Sequence, residues 1–227
     1  MSRTRLTIWG DFTCPFSYLA WRRSEDLAAD ADVEVDWRAV EHDPWHHLRP
    51  VDVTDRFTAL HDEMPRVTAH LMPGEPLPYT LKGHVPFTGA ATAGYAEAYG
   101  AGVAVPVRRA LFDGFWRHGI DLDDARVIRT LLADDIRSGS SPTELLRVWG
   151  YAVDVTGGPI TTMGWHLRRD WWSQWHELGG VVPTLVVDDG PASVGEDALT
   201  RLAAEMRARG LDEWDDPTRE HSQHPAA

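Results

Sequence analysis

The sequence predicts an α/β chain in three parts: a strand–helix–strand unit, a large and mostly helical insertion, and a closing strand–strand–helix unit. Three observations carry this. Leu6-Thr7-Ile8-Trp9 is a short apolar run, and Val33, Val35 and Trp37 alternate with Glu34, Asp36 and Arg38, as a strand with one buried face requires. Helical signals dominate from about residue 88 to residue 178. The β pattern then returns at Val181-Val182-Pro183-Thr184-Leu185-Val186-Val187, ahead of an amphipathic segment. On this reading residues 1–43 and 180–210 form one discontinuous domain, 44–179 the insertion and 211–227 a flexible tail.

Taken in order, Leu6–Trp9 is a buried strand and Tyr18–Ala29 a helix, with Leu19, Trp21 and Leu27 among its apolar residues. Residues 41–90 are expected to be irregular, since they are rich in proline and histidine and include Met72-Pro73-Gly74-Glu75-Pro76-Leu77-Pro78. Val107–His118 and Asp123–Arg137 are helix candidates. Ser141-Pro142-Thr143-Glu144 reads as a capping box opening another, with Ser141 as the cap. Ile160–Leu178 follows, with Leu167, Trp171, Trp175 and Leu178 at helical spacing. Asp188-Asp189-Gly190 is a turn, and Asp197–Arg209 a terminal helix with Leu199, Leu202 and Met206 on one side.

The composition excludes several functions. Of 227 residues, 35 are acidic and 22 basic, a net charge of −13, which argues against a nucleic-acid partner. Lys82 is the only lysine, a bias we assign to genomic base composition. No apolar run reaches the length of a membrane span, and Met1–Gly10 lacks a signal-peptide core, so a cytoplasmic location is expected. The single cysteine, Cys14, forbids an internal disulfide, a Cys-x-x-Cys pair and a multi-cysteine zinc site.

Cys14 is nonetheless the leading catalytic candidate. Asp11-Phe12-Thr13-Cys14-Pro15-Phe16-Ser17-Tyr18 joins the first strand to the first helix. Pro15 suits the first helical position, which puts Cys14 at the cap, facing unpaired amides and the positive end of the helix dipole. Both favour the thiolate, so its pKa is expected below the free value of roughly 8.5, with Ser17 one turn on as a hydrogen-bond donor. The competing reading is a small buried residue that happens to begin a helix. Val182-Pro183 is the second feature. Proline in a strand removes a ladder donor, and a cis bond at the strand's start resolves the conflict and exposes backbone groups to an extended ligand. An edge strand with a trans proline is the alternative.

These residues carry a resemblance over roughly residues 5–210. Cys14-Pro15-Phe16-Ser17 resembles the active-site turn, and Val182-Pro183-Thr184 the cis-proline segment, of the thioredoxin superfamily, in its branch with a helical insertion. That branch holds DsbA-type oxidoreductases, 2-hydroxychromene-2-carboxylate isomerases and kappa-class glutathione transferases. The stretch from Ala110-Leu111-Phe112 through Gly119-Ile120-Asp121-Leu122 resembles a helical segment of that insertion. The resemblance implies a thioredoxin-like fold. Ser17 stands where a dithiol oxidant needs a second cysteine, so only a monothiol mechanism with an external thiol remains. Ser17-Tyr18-Leu19-Ala20 and Gly195-Glu196-Asp197-Ala198-Leu199 are similar to the isomerase and transferase segments. This likeness implies that Asp197, with Glu196, meets the amine of a glutathione- or mycothiol-like thiol, while Val182 and Pro183 offer backbone contacts. Simple helix capping is the alternative for Glu196 and Asp197. The isomerase branch has serine where this chain has Cys14.

Two further groups are weaker. His42, His46 and His47 cluster near Asp43, but Pro44 interrupts the spacing, so no metal site is expected. One of these imidazoles, or Tyr18, could move a proton. Trp165, Trp171, Trp172 and Trp175, with Trp116 and Trp149, build either a core or an aromatic wall over Cys14 for a flat, apolar substrate. The sequence thus points first to a thiol-dependent isomerase of a conjugated small molecule, acting by reversible thiolate addition at Cys14 or a bound thiol. A monothiol oxidoreductase or thiol transferase is the second reading, and a non-catalytic binding protein the third. A homodimer is compatible with all three.

Overall fold

The computed structural model describes residues 3–42, 53–76 and 85–211. The strands are β1 (Thr4–Gly10), β2 (Val33–Ala39), β3 (Thr184–Val187) and β4 (Ser193–Val194). The helices are α1 (Pro15–Leu27), α2 (Val53–Ala69), α3 (Gly89–Gly100), α4 (Ala104–His118), α5 (Ala125–Ser138), α6 (Glu144–Arg147), α7 (Thr162–Glu177) and α8 (Glu196–Arg207). The sheet order is β2-β1-β3-β4, with β1 parallel to β2 and antiparallel to β3. Among the described residues six helices lie between β2 and β3, and the fold is thioredoxin-like with a helical insertion.

β1 is central because its last five residues are buried on both faces, which only a strand with two neighbours and covered faces tolerates. β2 departs from simple alternation. Asp36 is buried, because Arg5 (2.8 Å), Arg38 (2.7 Å) and the Tyr99 hydroxyl (3.0 Å) converge on its carboxylate. A charge can be buried when it is paired and hydrogen-bonded in this way.

The helices meet in an aromatic core. Trp21 of α1 stacks on Phe112 of α4 at 4.7 Å, and Trp37 of β2 meets the same ring edge-on at 5.5 Å. Trp116 closes the group, its indole N–H donating to the Phe12 carbonyl (2.9 Å). α7 is placed by Glu97, whose carboxylate accepts from the amides of Ile160 (2.7 Å) and Thr161 (2.6 Å) and from the Thr161 hydroxyl (2.7 Å). Gly164 faces this cap so closely that a Cβ there would lie 2.5 Å from Glu97 Oε1.

Several expectations need correction. The first helix begins at Pro15, three residues before the expected start, and ends at Leu27. Residues 41–90 are not uniformly irregular, since α2 occupies 53–69. Pro65 lies inside it and obscures the periodicity, while Leu60 and Val67, two turns apart, are buried where α2 packs on α1. The Ser141 capping box does not form. α6 is a single turn capped by Thr143, and Ser141 Oγ instead accepts from the Thr143 amide at 3.3 Å. β3 begins at Thr184, after the proline, rather than at Val181. Among the described residues no helix is long and apolar enough to cross a membrane. His46, His47 and the polar tail from Asp215 lie outside the described residues.

Candidate active site

Cys14 sits where the sequence places it. It is the N-cap of α1, with extended backbone (φ −81°, ψ 123°) and Pro15 as the first helical residue. The peptide bond between Val182 and Pro183 is cis, and Cys14 Sγ lies 4.0 Å from the Val182 carbonyl oxygen, to which the thiol donates. That loop is held from behind. The Trp175 indole N–H (2.8 Å) and the Thr184 hydroxyl (2.6 Å) both donate to the Val181 carbonyl, and the Gly195 amide donates to the Pro183 carbonyl (2.7 Å). Sequence reasoning missed this role of Trp175, because an indole at helical spacing signals only burial.

The expected thiolate is not found. Cys14 is 7% exposed, and burial pushes its thiol up to about 12. The Ser17 hydroxyl and amide favour the anion, but burial outweighs them, and Asp11 and Glu63 add unfavourable negative charge. The sulfur also makes no cap hydrogen bond. A position at a helix N-terminus lowers a thiol's pKa only when the sulfur remains solvated or bonded to the helix amides, and here desolvation wins.

A cavity of about 580 Å³ opens beside the sulfur, within the range of small-molecule sites. Thr13, Cys14 and Phe16 form one wall, His42 and the α2 residues Arg56, Glu63 and Arg66 a second, and Val181, Val182, Gly195 and Glu196 a third. Ser17 is fully buried behind Cys14 and accepts a hydrogen bond from the Asp11 amide (3.2 Å). Glu196 reaches the cavity, but its carboxylate is held by Arg66 (2.9 Å to Nε) and His70 (3.1 Å), which keep it below its ordinary value. Asp197 is exposed and does not line the cavity.

The aromatic wall is absent: among the described residues no tryptophan lines the cavity. Trp116, Trp171 and Trp175 are buried in the core, and Trp149, Trp165 and Trp172 are exposed. Tyr18 is buried against Trp21, Phe112 and Trp116, and does not reach the cavity either. Among the described residues no group of three or more histidine, cysteine or acidic side chains is placed to hold a metal.

Asp11 supplies what sequence reading overlooked. It is buried, and its two oxygens accept from the Thr13 amide (2.8 Å) and hydroxyl (3.0 Å), the Thr88 hydroxyl (3.0 Å), and the His42 amide (3.0 Å) and Nδ1 (2.9 Å). Burial opposes ionisation, but the His42 imidazole and these donors overcome it and hold the carboxyl down at about 2. A carboxylate whose folded pKa is depressed contributes stability above its unfolded value and loses it as pH falls through the folded one. The difference from the ordinary 3.8 corresponds to about 2 kcal/mol. Asp11→Asn is therefore expected to lose about that much stability at pH 5. Urea midpoints recorded from pH 5 to pH 2 should fall less steeply for the variant than for the parent, and parallel curves would show that Asp11 is not the linked group.

A model of the DSBA-like thioredoxin domain matches residues 5–137, more than half of the chain, from within β1 to within α5. The chain belongs to this family. No curated protein matches it. Three solved structures show the same fold around this DSBA-like domain. A "probable DsbA oxidoreductase" of Streptomyces coelicolor is 20% identical, with 99% of this chain and 93% of that one covered and a TM-score of 0.58. A 2-hydroxychromene-2-carboxylate isomerase is 18% identical, with coverage of 91% and 96% and a TM-score of 0.54. The cytosolic disulfide reductase DsbM of Pseudomonas aeruginosa, solved with GSH, is 14% identical, with coverage of 89% and 99% and a TM-score of 0.58.

Proposed function

We propose that this DSBA-like domain is a cytoplasmic, thiol-dependent isomerase of a conjugated small molecule, and that the reacting sulfur belongs to a bound low-molecular-weight thiol rather than to Cys14. The supporting observation is the buried, neutral Cys14 thiol at the wall of a cavity, with Ser17 in place of a second cysteine. At pH 7 a thiol of pKa about 12 is ionised in about one molecule in 10⁵, whereas an ordinary thiol near roughly 8.5 is about 3% ionised. The difference favours a sulfur brought in by a ligand.

The residues present fit a glutathione- or mycothiol-like group. When bound, such a thiol supplies the sulfur that adds reversibly to a conjugated double bond and so frees it to rotate. The Cys14 thiol, which donates to the Val182 carbonyl here, would turn its one S–H to an anion bound in the cavity, like the serine of the isomerase branch. Val182, at the cavity wall, presents its backbone to a peptide-like ligand, while Pro183 does not line the cavity and its carbonyl is taken by the Gly195 amide. Glu196 offers a carboxylate to an amine at the cost of loosening Arg66 or His70. Asp197 lies one residue further and contributes only long-range negative charge.

The test uses a cis-configured aryl enone bearing a carboxylate, with and without added reduced glutathione or mycothiol, on the parent and on Cys14→Ser. Isomerisation is expected to require the added thiol and to survive in Cys14→Ser within about tenfold, the scale of one hydrogen-bond donor exchanged for another. Turnover without added thiol that stops in Cys14→Ser would refute the assignment. Monothiol exchange is the second reading, favoured by Cys14 lying against the cis Val182-Pro183 bond. It predicts rapid mixed-disulfide formation on Cys14 with oxidised glutathione, which mass spectrometry reads directly.

A further inference from the structure

We infer that His42, held by Asp11, is the acid–base group of this cavity. The inference rests on the proposed thiol chemistry for its substrate, but its geometry stands on its own. The five bonds to Asp11 explain the turn between β1 and α1 and its tie to Thr88. They do not explain the imidazole, because the His42 amide alone would secure the backbone. The ring is 39% exposed while its carboxylate partner is 2% exposed, and His42 lines the same cavity as Cys14.

An ionised carboxylate only accepts hydrogen bonds, so Nδ1 carries the hydrogen, and in the neutral ring the lone pair then sits on Nε2, on the opposite edge. This is the arrangement in which a buried carboxylate fixes an imidazole's tautomer for proton transfer. As a sulfur adds to a conjugated carbonyl compound, its S–H proton passes to Nε2. The sulfur lone pair forms the C–S bond, and the displaced π pair moves to the carbonyl oxygen. After rotation the π pair returns, the C–S bond breaks, and the proton goes back from Nε2 to sulfur. Nothing is consumed. His42 is the catalytic residue in this scheme and Asp11 a positioning residue.

The charges around the ring set its pH response. Asp11 faces it from the β1–α1 turn, and Glu63, with Arg56 and Arg66, from α2. Cys14, at the head of α1, is neutral, and Glu196 of α8 is paired with Arg66 and His70. Among the described acids facing the ring, Asp11 is the one bonded to Nδ1, at 2.9 Å.

Two readouts test the inference. The first needs no turnover. Nitrogen-15 imidazole spectra of the parent at pH 7.5, with His42 assigned by its loss in His42→Gln, should show protonated Nδ1 and bare Nε2. The Asp11→Asn variant should shift the tautomer mixture toward protonated Nε2. The second is the pH profile of thiol-dependent isomerisation. His42→Gln should lower kcat/KM by about 10²-fold or more with KM little changed. Asp11→Asn should move the acid limb to lower pH, since removing the carboxylate makes the imidazole easier to deprotonate. A parent spectrum with bare Nδ1 overturns the inference even if no isomerisation is found. So does activity in His42→Gln within threefold of the parent. If the parent shows the expected tautomer but no turnover, the isomerase reading fails while the His42–Asp11 assignment stands.

Discussion

Iodoacetamide should alkylate Cys14 at pH 7 about a hundredfold more slowly than free cysteine. With the thiol pushed up to about 12, the thiolate fraction falls roughly 3,000-fold below that of an ordinary thiol near 8.5. A more basic thiolate is a better nucleophile, with a Brønsted slope near 0.4–0.5, which recovers roughly 30- to 50-fold over such a gap. About two orders of magnitude remain, and burial of the sulfur can only add to them. The rate should also climb about tenfold per pH unit, without a plateau below pH 10, because the reacting species stays a trace throughout. Cys14 is the only cysteine, so mass spectrometry of the intact chain follows this one site. A midpoint near 8.5 would mean that the helix terminus prevails over burial. The assignment of the reacting sulfur to a ligand would then fall, and monothiol exchange at Cys14 would become the better reading.

What the sequence made legible, and what it concealed, follows from the range of the forces involved. Cys14 as a cap, Pro15 as the first helical residue and the cis bond before Pro183 are local matters of backbone geometry, and they were readable from a few neighbouring residues. The α/β class was readable for the same reason, since periodicities of two and 3.6 are local. The state of the sulfur was not. Dipole and neighbouring amide are visible in sequence, but desolvation comes from elements far away in the chain, Val182 among them. Asp11 was passed over as an ordinary turn residue because three of its five bonds involve His42 and Thr88, which lie 31 and 77 positions away. His42 was noticed, but only in a group of three, and nothing local distinguished the imidazole that turns to the cavity. The tryptophans left a core and a binding wall both open. Trp116, Trp171 and Trp175 fill the core, as the first of these readings has it, and Trp175 also serves the site from behind through the Val181 carbonyl.

Glu75→Ala should lower the unfolding free energy by about 3–5 kcal/mol, the usual result of removing one partner from a buried ion pair. Arg23 on α1 is 1% exposed and Glu75 is fully buried. The guanidinium donates to Glu75 Oε1 (3.0 Å) and Oε2 (2.7 Å) and also to the Leu199 (2.8 Å) and His70 (2.5 Å) carbonyls, so one side chain ties α1, the 70–76 loop and α8 together. Glu75 further accepts from the Met72 amide (2.9 Å). Without the carboxylate, a positive charge stays buried with only carbonyl dipoles to offset it. A typical domain is stable by about 5–15 kcal/mol, so the loss should show as a large drop in the urea midpoint with little change in slope. The penalty comes from the stranded charge rather than from the bond itself, so Arg23→Met combined with Glu75→Leu should be less destabilised than Glu75→Ala alone. A single variant within 1 kcal/mol of the parent would show that the guanidinium finds water or another partner. The pair also bears on the cavity. His70 lies at the end of the loop that Glu75 anchors, and His70 and Arg66 together hold Glu196. Loosening that loop should free Glu196, so at temperatures where Glu75→Ala remains folded, its affinity for an amine-bearing thiol should change while the Cys14 alkylation rate does not.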